Sequence, residues 1–191
     1  MNIFLLHVNA QQSAVWHCDK HCIKMILEST QLLYTAWWCC EHPFQWAPCE
    51  FEPYKQTHKN HPSAIWVRSS PVHYQWTLDL ALNLSTEYTR RYGKVHKCHH
   101  HLKRLHQMGS PTPPTTIPPI TAPQKIATTG CPEGCSYFLC AIADDVFESC
   151  KVITDGELNG VKTYQNYYKT KSFQLKWNKG GDSPPNWYDP H

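Results

Sequence analysis

The stretch HCDKHCIKMILESTQ places His17, His21, Lys24, Glu28 and Gln31 at alternating steps of four and three residues. At the 100° per residue of a helix, these five and Thr35 fall within about 40° of one line, with Lys20 at the edge of the strip. Such a face holds the groups for proton transfer. Glu28 is a proton acceptor or electrostatic stabiliser, His17 and His21 are acids, bases or phosphate ligands, and Lys24 is an anion clamp or amine nucleophile. Opposite lie Cys22, Ile23, Ile26, Thr30 and Leu33, which read as a core stripe. Met25 and Leu32 on one flank and Leu27 and Tyr34 on the other confine the polar strip, which suits a cleft wall. A solvent-facing surface with a Lys24–Glu28 pair one turn apart has the same pattern, so burial decides between the two. His17 and His21 could also bind zinc, but Cys18 and Cys22 point to other faces of the helix.

A second segment, HKNHPSAIWVR, sets His61, Trp66 and Arg68 around the start of a helix, where free N–H groups favour an anion. Asn60 is a substrate contact or the cap of that helix. Glu87 and Arg91, one turn apart, are either a pair or a substrate contact. Cations alternate with rings in Tyr88, Arg90, Arg91, Tyr92 and Lys94, and again in Tyr164, Tyr167, Tyr168, Lys169 and Lys171. This suits phosphate neutralisation with base stacking, or lysines and arginines snorkelling from aromatic helices. Cys131, Cys135 and Cys140, with Cys150 and the run His99 to His101, are candidates for a structural zinc knot. The chain has no GxxxxGK[ST] loop, GxGxxG, HExxH or GxSxG, which disfavours the enzyme classes built on them.

The elements that must position these groups are mostly helical. Asn2 to Val8 reads as a short strand, and Asn9 then opens a helix expected to run from Ala10 to about Trp38. Residues 39–61, with Pro43, Pro48 and Pro53 among aromatics, read as an ordered loop. Pro62 and Pro71 each suit a first helical residue, giving helices to about Arg68 and Tyr92, the second stopped by Gly93 and central to the core. Further helices are expected over Lys97–Met108, Ser136–Cys150 and Lys162–Trp177. Between them lies a proline-rich, cysteine-bearing exposed excursion at about 109–135. The fold expected is mainly α: one domain over residues 1–191, a compact irregular helical bundle with at most a short N-terminal strand or small sheet.

With 191 residues, 41% of them apolar, the chain can bury one good core, and a net charge of +3 leaves its basic excess regional. The opening MNIFLLHV lacks the basic region of a signal peptide, and no stretch approaches the ~18–20 apolar residues of a membrane span. An intracellular setting and reduced thiols among the ten cysteines are therefore expected.

Taken together, MNIF, HCDKHCIKMILESTQLL, NHPSAIWVR, EYTRRYGKVHK, YQNYYKTKSF and a late PNW resemble a family of small uncharacterised proteins of bacteriophages and large DNA viruses. The resemblance spans nearly the whole chain, fits poorly over about 109–150, and implies a viral setting in a host cytoplasm without fixing a reaction. Small viral enzymes often act on DNA bases or nucleotides. The expectation is therefore an enzyme of glycosidic-bond cleavage or base modification, with His17, His21, Lys24 and Glu28 catalytic. Lys20, Gln31, Asn60, His61, Trp66, Arg68 and Arg91 would bind substrate or phosphate. Glycosylases of the pyrimidine-dimer type are also small, helical and dependent on a carboxylate, and use an N-terminal amine. Here Asn2 is too bulky to favour removal of Met1, so Lys20 or Lys24 is the expected amine. Two other readings use the same residues: a protein that sequesters a nucleotide signal or host factor without chemistry, and a zinc-stabilised nucleic-acid-binding adaptor.

Overall fold

Local sequence chemistry sets the helix boundaries wherever a cap is present. The Ser70 side chain accepts the Val72 N–H, Pro71 takes the first position, and Gly93 closes the helix at φ +64. The computed structural model describes residues 1–40, 52–171 and 175–189. Its helices are α1 (Ala10–Trp16), α2 (Asp19–Trp38), α3 (Pro62–Arg68), α4 (Pro71–Tyr92), α5 (His99–Met108), α6 (Asp144–Cys150) and α7 (Gly160–Lys169). Two antiparallel two-stranded ribbons pair β1 (Ile126–Ala127) with β2 (Phe138–Leu139), and β3 (Ile153–Thr154) with β4 (Glu157–Leu158). The fold is mainly α, as expected. Among the described residues, no helix is long and apolar enough to cross a membrane.

Helix α4 is the hub, packed against α1, α2, α3 and α5. Its Tyr74, Leu78, Leu80, Ala81 and Leu84 are buried with Met25, Ile26, Leu32 and Leu33 of α2. Complete burial of a side chain such as Leu84 contributes about 1.5–3 kcal/mol.

Several expectations are corrected. Residues 2–8 form no strand; they run as a buried extended segment, with Ile3, Leu5 and Leu6 almost fully covered. Side chains replace the missing ladder there: Gln165 Nε2 donates to the Leu6 carbonyl at 3.0 Å and Trp76 Nε1 to that of Val8 at 2.8 Å. The helix expected over 10–38 breaks at His17–Cys18 into α1 and α2. Of the expected core stripe of α2, Cys22, Ile26, Thr30 and Leu33 are buried and Ile23 is exposed, its place taken by Met25 and Ser29; the flanking Leu27 is exposed too. Residues 136–150 are helical only from Asp144. Upstream, Cys140 N–H bonds the Lys125 carbonyl, Ala141 N–H the Tyr164 hydroxyl, and the Tyr137 carbonyl accepts from Trp66, so tertiary partners take the groups a helix would pair.

The helix of the 162–177 segment ends at Lys169, and Leu175 to Trp177 lie outside any helix. Phe173, Pro43 and Pro48 fall outside the described residues. The proline-rich stretch 109–122 carries no regular structure and is largely exposed.

Candidate functional site

The break between α1 and α2 decides which polar residues share a face. Ending one helix and starting another frees carbonyls and an N–H that need partners. Arg91 supplies two donors, to the Val15 carbonyl and the His17 carbonyl, each at 2.8 Å. The Tyr168 hydroxyl accepts the Cys18 N–H at 3.1 Å. His17 thereby leaves the strip for the interior. Its Nδ1 donates to the Ser13 carbonyl at 2.7 Å, its Nε2 is buried without a partner, and burial pushes the imidazole down to about 4.

The rest of the strip divides: His21 is buried and Glu28 largely covered, whereas Lys20 and Lys24 are exposed. His21, Lys24 and Glu28 line a cavity of about 690 Å3, with Lys20 beside them. The extended N-terminal segment crosses the strip and fixes the carboxylate. Glu28 Oε2 accepts the Asn2 N–H at 2.8 Å and lies 3.9 Å from the Met1 amino nitrogen, while Oε1 lies 3.2 Å from Lys24 Nζ. The Glu28 side chain is 13% exposed and that of Lys24 60%, so one is anchored and the other reaches solvent.

Hydrogen bonding and burial hold both histidines of the cleft. The Tyr168 hydroxyl accepts the Cys18 N–H and shares a hydrogen bond of 2.7 Å with His21 Nδ1. His21, stacked on Phe4 at 4.5 Å, is pushed by burial down to about 3 and is neutral at physiological pH. The Nδ1 of His61 accepts the Ser63 N–H at 3.2 Å as the cap of α3 and burial lowers its pKa, so the neutral ring holds its hydrogen on Nε2.

The facing wall comes from residues 121–125 and 140–144, not from Arg68. Lys125 is pinned there by the Ile142 carbonyl at 2.5 Å and by Asp144. Lys171 also lines the cavity. Four lysines and the amino terminus face only two carboxylates, and Asp144 is nearly fully exposed. A cavity of donors around one anchored carboxylate suits an anionic, oxygen-rich ligand.

Other candidates lie elsewhere. Trp66 is fully buried, stacked on His73 at 4.4 Å, with Nε1 donating to the Tyr137 carbonyl. Arg68 is buried and donates to the Lys59 carbonyl. Arg91 is locked between Glu87, Asp19 and Asp182. Gln31 is half-buried and outside the cavity lining, and Asn60, which does not cap α3, lines an adjoining pocket. Cys131 and Cys135 donate to the Ala127 and Glu133 carbonyls. Among the described residues no three His, Cys, Asp or Glu side chains come together to hold a metal, so the zinc knot of Cys131, Cys135 and Cys140 gains no support.

The residues missed by sequence reading are Met1, Asn2 and Lys125. Neither Met1 nor Asn2 belongs to a motif or a helical face that would bring it to Glu28. Lys171 belongs to a basic aromatic run, which was the only signal it gave. No family model, curated protein or solved structure matches the chain.

Proposed function

We propose that the protein is an enzyme acting on DNA bases or nucleotides, by glycosidic-bond cleavage or base modification, with Glu28 as its catalytic carboxylate. One observation carries this reading: Glu28 is held by the Asn2 N–H at 2.8 Å in a cavity whose lining includes Lys20, Lys24, Lys125 and Lys171. A phosphate would be held by Lys20, Lys24 and Lys171, with His21 and His61 lining the same cavity. In glycosidic cleavage the sugar carbon gains positive charge as the C–N bond breaks and its electrons leave with the base. A fixed carboxylate stabilises that charge and accepts the proton of the attacking water. His17 is buried outside the cavity lining and burial holds His21 neutral, so the proton transfer expected of them falls to Glu28. Lys24 Nζ lies beside the carboxylate at 3.2 Å, where its charge compensates that of Glu28. The viral setting rests on the resemblance alone.

The test is to incubate the protein with the common deoxynucleotides and with single- and double-stranded oligonucleotides, then weigh every ligand by mass spectrometry. The proposal expects a product lacking a base or carrying an altered one. Tight binding with every ligand recovered unchanged would replace it by sequestration.

A further inference from the structure

Beside the cationic cavity lies a second pocket of about 270 Å3 with the opposite chemistry. Its wall is made by Pro118, Pro119 and Ile120 of the proline-rich stretch against Ile65 of α3 and Leu139 of β2. None of these side chains has a polar atom. The two cavities share Pro62, Thr121, Ala122, Lys125 and Cys140, so one ligand could occupy both across a common ridge. Lys125 is held on that ridge by the Ile142 carbonyl and Asp144, which keeps its charge at the cationic side.

A ligand that spans both needs an anionic end and a small apolar one. At about 270 Å3 the pocket falls just below the ~300–1,000 Å3 that takes a whole drug-sized molecule, so it suits a single ring system. Asn60, an exposed residue, lines it with a carboxamide. That group donates and accepts side by side, as the edge of a heteroaromatic base requires. Proline and isoleucine faces leave the two sides of a planar ring in apolar contact.

We propose that this pocket is the nucleobase subsite for a nucleotide whose phosphate lies in the neighbouring cationic cavity, which makes the proline-rich stretch half of the binding site. The assignment rests on the nucleotide reading of that cavity. It also gives Asn60 a role as a base-edge contact, one step beyond its expected place at a helix start.

Calorimetry with the four deoxynucleoside 5′-monophosphates and with 2-deoxyribose 5-phosphate, which lacks the base, tests it. At least one nucleotide should bind about tenfold tighter than the sugar phosphate, as burial of one ring requires. Ile120→Trp fills the pocket from a position that is 38% exposed, so the fold should accommodate it. It should bring nucleotide affinity down to the sugar-phosphate level and leave the sugar phosphate unchanged, and Asn60→Ala should alter the preference among bases. Equal binding of nucleotides and sugar phosphate, or no effect of Ile120→Trp, overturns the subsite and leaves the cationic cavity's reading intact. Failure of both probes to bind overturns the nucleotide reading itself, and this assignment with it.

Discussion

Replacing Arg91 separates a structural cation from a substrate-binding one. Its side chain is fully buried and bonds the Val15 and His17 carbonyls while pairing with Asp19, Glu87 and Asp182. Arg91→Ala leaves those three carboxylates without their buried cation and two carbonyls without donors. Breaking a buried ion pair by removing one partner costs about 3–5 kcal/mol. For a chain of this size each kcal/mol lowers the melting temperature by roughly 2–4 °C, so a fall of about 6–20 °C is expected. Arg91→Lys keeps the charge but not the forked geometry and should fall between the variant and the wild type. Thermal unfolding followed by circular dichroism measures the loss, and phosphate-ligand titration of the folded variant at low temperature measures binding. Binding should be unchanged, because Arg91 does not line the cavity. An Arg91→Ala protein that melts within about 2 °C of wild type yet no longer binds ligand would refute the reasoning.

Acid should destabilise the fold before its carboxylates titrate. His17 and His21 are held near 4 and 3 against an ordinary 6.5, so below that value the unfolded chain takes up protons that the folded one refuses. Their stability contribution is intact above pH 6.5 and falls as pH drops from there toward 4, by roughly 1 kcal/mol per unit for each histidine. Urea midpoints between pH 7 and 5 measure this, and a flat profile would contradict the buried neutral assignment. Gly130 sits at φ +55, where an added Cβ would lie 2.3 Å from Asn159 Oδ1, the cap of α7. Gly130→Ala should therefore cost about 2–3 kcal/mol from backbone strain and a disturbed cap, and an unchanged urea midpoint would show that the loop absorbs the methyl.

Much of the fold could be read in advance because its signals are local. Ser70, Pro71 and Gly93 bound α4 within a few residues of its ends, and Asn9 caps α1 by accepting the Gln12 N–H. The break at His17–Cys18 could not be, since neither residue is a helix breaker. It exists because Arg91 and Tyr168, far along the chain, bond the groups it exposes. The candidate site divides in the same way. The strip His21, Lys24, Glu28 follows from helical spacing alone, whereas the Met1 amine and Lys125 reach it by tertiary packing that no spacing encodes. Trp66 and Arg68 illustrate the reverse error: residue types suited to ligands serve here as a core ring and a loop tie.

The central claim, a catalytic carboxylate in a phosphate-binding cavity, is tested most directly by Glu28→Gln. The amide keeps an acceptor for the Asn2 N–H and removes the charge, so the fold should hold. Single-turnover rates on the substrate that the wild type converts should fall at least about 100-fold, as loss of a general base requires. Affinity for the same ligand, measured by titration, should be unchanged or rise, because one negative charge has left a cationic cavity. A Glu28→Gln protein that turns over substrate at the wild-type rate would contradict the account.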